Sequence, residues 1–332
     1  MSEKQAFTES KPTRAHWPQA SIGGYTVSTR NVLLIAAIIL LVTAWRSSLA
    51  GPTGPTAPPA TSFNHVFIVV EENTSYGRLI GNPAVPYLNG LARRYGLASN
   101  YYANTHPSMG NYFMMTTGRI ISRSDAFTGV TSHNNIARIL AHAGKTWRCY
   151  AESLPYAGYL GNDSGLYMRH HNPFVYFSDV IENPAQAANV VPFTQFARDL
   201  HGDSFPDYSF IVPNILNDAH SCADVHRGCP KDTRLATMDH WLEANIAPLV
   251  ADPQFQKDGL LIITFDEASM VDSRHGGGHV AWVAVSGRSK PGYVSTELYQ
   301  HQNTLSLMAS SLGLTSLPGA AAMAFPMSEF FQ

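Results

Sequence analysis

Charge is scarce in this chain. Asp, Glu, Lys and Arg make up only 14% of its 332 residues, against about 25% in an ordinary soluble protein. The 22 basic and 24 acidic residues leave a net charge of -2. With no basic excess and no basic run, binding to nucleic acid through phosphate neutralisation does not fit. Cysteine is scarce as well. The chain has three, Cys149, Cys222 and Cys229, and no Cys-x-x-Cys pair, so a structural zinc site lacks its usual signature. No repeat and no linker interrupt residues 61–332. What is present is apolar bulk, 45% of residues, and 14 histidines. The first excludes global disorder. The second suits metal or phosphate chemistry without requiring it.

Residues 1–31 are polar and have no helical or strand period. From Val32 to Trp45 the chain carries no charge, and Arg46 follows. This run is short for a spanning helix, which needs about 20 residues. It suits the apolar part of a signal peptide, with Ser47-Ser-Leu-Ala-Gly51 as a small-residue cleavage site. If Arg46 snorkels, the segment extends over 32–50 and becomes long enough for an uncleaved anchor. Lys4, Lys11, Arg14 and Arg30 precede it and favour a cytoplasmic N-terminus. Residues 51–60 form a Pro/Gly linker. Both readings export residues 61–332, which would be periplasmic, secreted or membrane-anchored through 32–50. In an oxidising compartment Cys222 and Cys229 read as a local disulfide, and Cys149 as a buried thiol.

Residues 61–332 read as one α/β domain. Continuous apolar runs predict buried strands at 65–70, 146–151, 208–212, 259–265 and 280–285. Helices are predicted from about Ser108 to Thr117, over 134–143 with Thr131 or Ser132 as cap, over 193–200, along the Leu235–Leu249 stripe, and over 298–312. Strands alternating with helices predict a mainly parallel sheet with helices on both faces.

In such sheets ligands bind beyond the carboxyl ends of the strands. The first strand runs into Glu71-Glu72-Asn73, and the late strand into Asp266-Glu267. Hard oxygen ligands gathered at one edge are what a divalent cation needs. The competing reading is that these carboxylates cap helices or meet solvent. Ser108 follows Pro107 at a helix start, where backbone N–H groups favour an anion. A cation would also make its hydroxyl a nucleophile. The bland alternative is an ordinary N-cap serine. His171, His220 and His279 each stand beside a turn or strand end, and Gly276–Gly278 would let backbone approach a ligand.

Taken in order, these segments resemble the bacterial phosphoesterase family of acid phosphatases and phosphatidylcholine-type phospholipases C, a branch of the alkaline phosphatase superfamily. The resemblance is carried by His65-Val-Phe-Ile-Val-Val-Glu-Glu-Asn-Thr-Ser-Tyr76, Thr105-His-Pro-Ser-Met-Gly-Asn-Tyr112 with Thr117-Gly118, and Arg169-His-His-Asn-Pro-Phe174. It continues through Val212-Pro-Asn-Ile-Leu-Asn-Asp-Ala-His-Ser-Cys222, Thr264-Phe-Asp-Glu267 and Gly277-Gly-His-Val280. It implies that Glu72, Asn73, Asp266 and Glu267 hold a metal with Ser108, the nucleophile selected over Thr105. Asn111, His171, His220 and His279 would face the phosphoryl group. Asn217 and Asp218 are further substrate-binding candidates in the matched motif. Ser221 departs from the family's usual Asp and weakens the support expected behind His220. No Asp-x-x-x-His cluster stands out, so one divalent metal of unknown identity is expected rather than two.

The implied activity is metal-dependent hydrolysis of a phosphomonoester through a phosphoserine, with a small phosphate ester or a phospholipid headgroup as substrate. The alternatives are a phospholipase C or other phosphodiesterase, and a non-catalytic anchored binding protein. Nothing in the sequence sets an oligomeric state.

Overall fold

The computed structural model describes residues 61–202, 204–222 and 228–332. The polar segment 1–31, the signal or anchor 32–50 and the linker 51–60 lie outside the described residues. Among the described residues no helix is long and apolar enough to cross a membrane.

The central sheet has eight strands: β1 (His65–Glu71), β2 (Gly96–Ala98), β4 (Trp147–Ala151), β5 (Val190–Pro192), β6 (Tyr208–Val212), β7 (Gly259–Phe265), β8 (Trp282–Val285) and β9 (Tyr293–Ser295). Their order is β5-β4-β6-β1-β7-β8-β2-β9, and β3 (Tyr101–Tyr102) pairs separately with β10 (Tyr299–Gln300). Every pairing in the large sheet is parallel except those of β8, which runs antiparallel to β7 and β2. The β6 and β7 strands match the sequence expectation residue for residue. The three-residue strands β2, β5 and β9 were not expected; so short a segment carries no readable period.

Among the described residues, seven helices of six or more residues accompany the sheet: α1 (Pro86–Arg94), α2 (Met109–Thr117), α3 (Ile136–His142), α4 (Thr194–His201), α5 (Lys231–Ala251), α6 (Pro253–Asp258) and α7 (His301–Ser311). The α3 cap is Asn135, which accepts from Arg138 N, rather than Thr131 or Ser132. The last helix starts later than expected because Gln300 and Asn303 form a capping box there. Central strands β1, β6 and β7 are buried almost throughout, so both sheet faces are covered. That is why their sequences are continuous apolar runs rather than alternating ones.

Two features of this frame place the site. Parallel β1 and β7 are in register, with Glu71 opposite Phe265. Asp266 N donates to Glu71 O at 2.9 Å, so both strands release their acidic residues at the same edge. The glycine loop before β8 then lies against residues 103–105. A Cβ on Gly276 would sit 2.1 Å from Asn104 O, and one on Gly277 would sit 2.4 Å from Thr105 O. The glycines therefore admit the protein's own backbone, where the sequence reading gave that space to a ligand.

The expected Cys222–Cys229 disulfide is not formed in this structure. The two side chains are nonetheless neighbours, since a hydrogen bond to Cys222 raises the Cys229 thiol above its ordinary range. Cys149 is buried in β4, as expected, and burial pushes its thiol up.

Candidate active site

Ser108 lies at the head of α2, yet its side chain does not cap that helix. The capping oxygen belongs to Asp125, whose Oδ1 accepts from Met109 N at 2.9 Å. The first helical N–H is therefore occupied by a carboxylate rather than open to an anion. Ser108 Oγ is directed instead at Glu72 Oε2, 3.2 Å away, with Asn73 Oδ1 at 3.4 Å. The Asp266 carboxylate lies close enough to feel the same hydroxyl. One hydroxyl proton thus faces two acceptor oxygens, with the Asp266 carboxylate near by.

The carboxylates are deeply buried: Glu72 is 1% exposed, Asp266 0% and Glu267 1%. Burial pushes Asp266 up to about 7. It carries Glu267 to about 10, with repulsion from Asp266 and Asp125 adding to the rise. Glu72 is also raised well above its usual range, first by burial and then by Asp266 and Asp218. Like charges buried together in this way call for protons or for a cation.

Each strand end is held in place by a different neighbour. Asn73, in the left-handed region at φ 40°, donates its N–H to Asp266 Oδ1 at 3.1 Å. His301, at the start of α7, donates Nε2–H to the Asp266 carbonyl at 2.6 Å. Tyr112 donates its hydroxyl to Glu72 Oε1 at 2.6 Å. It stands four residues after Ser108, so one face of α2 presents both hydroxyls to the same carboxylate. Glu71 points away from this group. Its carboxylate is buried without a hydrogen-bond partner, and the charges acting on it are Asp218, Glu152 and Asp239. Adjacent strand residues face opposite sides.

His171 is 4% exposed and sits between two acids, with Nε2 3.3 Å from Glu72 Oε1 and Nδ1 3.7 Å from Asp218 Oδ2. Its ring stacks on Tyr112 at 5.5 Å. Burial lowers its pKa well below the ordinary value, and His170 and His220 add to this. His220 is exposed, with Nδ1 3.0 Å from Ser221 Oγ, so Ser221 provides a hydroxyl contact at the usual Asp position.

Other predicted residues serve the frame. Asn111 Oδ1 accepts from Asn104 N and Thr105 N, and its Nδ2 donates to Thr105 O at 2.8 Å and Glu267 Oε2 at 3.5 Å. Asn111 thus staples the loop that precedes α2. Asn217 turns its amide to both oxygens of Glu152. Asp218 accepts from His220 N and backs His171. His279 stacks between Tyr76 and Tyr102 and donates Nε2–H to Ser99 O, so its contacts lie on the glycine-loop side. Four site residues were not anticipated: His106, Tyr112, Asp125 and His301. Only Tyr112 left a signal, its i+4 spacing from Ser108.

The donors around Ser108 suit a hard divalent cation by type: carboxylate, amide and hydroxyl oxygens. Asp266 Oδ2 is buried without a hydrogen-bond partner. As the side chains stand, no three His, Cys, Asp or Glu groups among the described residues close a cation cage. One reason is visible. Glu267 Oε2 is engaged by His106 Nδ1 at 3.0 Å, and His106 Nε2–H reaches on to Asp272 O at 2.9 Å.

Comparison with known proteins identifies the group. The model of the Phosphoesterase family matches residues 82–315. The chain belongs to that family. A phosphatidylinositol-3-phosphatase of Mycobacterium tuberculosis is 30% identical over 91% of this chain and 95% of its own length. A probable acid phosphatase of Kluyveromyces lactis is 33% identical over 62% of this chain. The match spans about half of that yeast relative, 48%. Among solved structures, an alkaline phosphatase superfamily protein from Vibrio parahaemolyticus aligns over 81% of this chain and 71% of its own, with a TM-score of 0.54 at 13% identity. A lipoteichoic acid synthase from Listeria monocytogenes aligns over 85% of this chain and 79% of its own, with a TM-score of 0.57 at 11% identity. At those identities the likeness concerns the fold, and it agrees with the mainly parallel α/β sheet found here.

Proposed function

We propose that this phosphoesterase-family chain is an acid phosphatase-like phosphomonoesterase in which Ser108 is the nucleophile. The observation that carries the reading is the division of labour at the head of α2. Asp125 caps the helix, and Ser108 Oγ is left to face Glu72, Asn73 and Asp266. The bland alternative, an N-cap serine, has lost its hydrogen bond to Asp125. The relatives' names, acid phosphatase and phosphatidylinositol-3-phosphatase, support hydrolysis of phosphate monoesters.

In the proposed reaction Ser108 loses its proton to the adjacent carboxylate group. Its Oγ forms a bond to phosphorus as the ester P–O bond breaks. The leaving oxygen takes a proton from His220, whose exposed ring lies beside the His170–His171 pair. Water then cleaves the phosphoserine. Glu72, Asn73, Asp266 and Ser108 would hold one divalent cation, with Glu267 joining if it turns from His106. Such an ion supplies positive charge to the nucleophile and the phosphoryl oxygens. His171, clamped between Glu72 and Asp218, keeps that edge of the site oriented. The same proposal includes export, on the strength of the apolar segment 32–50.

The test joins turnover, stability and trapping on Ser108→Ala. Loss of phosphomonoester turnover with an unchanged melting temperature, and a phosphorylated Ser108 peptide in acid-quenched native enzyme, are the expected results. A destabilised but fully active variant would end the covalent mechanism.

A further inference from the structure

A cleft of about 330 Å³ opens between Asp125 and His170. Two of its walls adjoin the site already described. Asp125 lines the cleft and caps the residue after the nucleophile. His170 lines it and packs 4.4 Å from the ring of His171. A phosphoryl group at Ser108 would therefore have its ester substituent directed at this space, which is of the size ligand pockets usually have.

The lining decides what would be accepted there. Asp125, Thr128, Asn162, Asp163, Arg169 and His170 are polar and stand beside Ala126, Phe127 and Tyr176; an acyl chain would leave the buried Arg169 Nε without a partner. Arg169 is the one permanent cation of the lining, against the two carboxylates of Asp125 and Asp163. Asp163 is already tied to Arg169 through its backbone, with N–H to Oδ1 at 2.7 Å. Burial also holds His170 toward its neutral form. A second anionic group is therefore disfavoured. A quaternary ammonium group would need an aromatic face away from other cations, but the Arg169 guanidinium lies 4.2 Å over the Tyr176 ring and the Phe127 ring is only 5.7 Å from that ring, so Arg169 would repel it at either face. What remains is a neutral group that both donates and accepts. Asn162 and Thr128 can do either, Asp125 and Asp163 accept, and Arg169 Nε is a buried donor without a partner.

We propose that this cleft is the leaving-group subsite and that it selects phosphate monoesters of neutral polyhydroxylated alcohols, such as polyols and sugars with vicinal hydroxyls. The proposal rests on the phosphomonoesterase reading and adds the substrate class to it.

The test compares kcat/KM for glycerol 1-phosphate and glucose 6-phosphate with that for ethyl phosphate, phosphocholine and 3-phosphoglycerate. The polyol and sugar esters should lead ethyl phosphate by roughly tenfold, from two or more added hydrogen bonds. Phosphocholine and 3-phosphoglycerate should gain nothing. Asn162→Ala and Thr128→Val, both at exposed positions, should each reduce the polyol-to-ethyl ratio roughly threefold to tenfold. Equal rates across the series, or variants that move every ester alike, overturn the subsite. If the native protein, loaded in turn with Mg²⁺, Mn²⁺, Zn²⁺ or Ca²⁺, cleaves none of the five, the phosphomonoesterase reading fails. Calorimetry on that same protein then decides the cleft. Tighter binding of glycerol 1-phosphate than ethyl phosphate, weakened by Asn162→Ala, sustains it, and equal or absent binding overturns it.

Discussion

Asp266 and Asp272 are six positions apart and chemically identical, but the fold treats them in opposite ways. Asp266 follows β7 at 0% exposure, with one oxygen lacking a hydrogen-bond partner, and burial raises its pKa from 3.8 to about 7. Asp272 sits on the following loop, clamped by Arg274 through Nε at 2.9 Å and Nη2 at 2.6 Å. It also accepts from His279 N at 3.1 Å. Those contacts, led by Arg274, hold it well below the ordinary carboxylate range. One carboxylate is fully satisfied and serves the loop. The other is kept unsatisfied, which leaves it able to bind a proton or a cation. Net acidity therefore does not mark the site, whereas acidity without compensation does.

That contrast can be broken or sharpened experimentally. The largest effect belongs to Ser108→Ala, which should lower turnover by at least about a thousandfold while leaving the Asp125 cap and the melting temperature in place. Kinetics and calorimetry on one preparation check both halves. Chelation comes next. Dialysis against EDTA should remove most activity, and titrating divalent ions back should restore it. Full activity after exhaustive chelation, verified by elemental analysis, would remove the cation from the proposal.

The third prediction concerns pH and sets the two aspartates against each other. Asp266 has a raised folded pKa, so its contribution to stability is complete below about pH 4 and is lost as pH rises toward 7. Glu267 extends that loss toward pH 10. Asp272 has a lowered folded pKa, so its contribution is present above about pH 4 and is lost as pH falls below it. Cation-free protein should accordingly melt at a lower temperature at pH 8 than at pH 5.5. Added divalent ion should raise the melting point more at pH 8, where fewer protons compete. A flat profile between these pH values would mean that the carboxylates are compensated in some other way.

Smaller changes refine the same comparison. In cation-free protein at pH 8, Asp266→Asn should stabilise by about 1–3 kcal/mol, because it removes a buried uncompensated charge, even as it abolishes turnover. Asp272→Asn should cost about 1 kcal/mol or less, since its Arg274 partner is 60% exposed and solvent weakens the pair. Denaturant melts of the two variants, with and without ion, measure both. Equal signs for the two substitutions would erase the distinction drawn between them.

The frame of this protein was legible because apolar runs do not need tertiary information to be recognised. β6 and β7 were read to the residue, and the register of β1 with β7 follows from parallel pairing of two such runs that both end in acids. The candidate nucleophile and the acidic cluster were legible for the same reason, as polar residues at strand ends. Local competition was not. Ser108 and Asp125 are 16 positions apart, and only folding shows which of them caps α2. Asn111 and Asn217 looked like substrate binders from their motifs, but each is consumed by backbone or by Glu152 once the loops close. His106 and His301 left no signal, since a histidine gains a role only from what lies beside it.

The sequence by itself determined the long central strands, the order of the chemistry along them and the ends at which it emerges, because a continuous apolar run is a local property. Tertiary structure alone decided which carboxylates lose their solvent and which find an arginine. It also decided that Ser108 is free of the helix it opens and that Asp125 and His170 share one cleft. These outcomes depend on desolvation and on distances between remote segments, and neither quantity exists until the chain has folded.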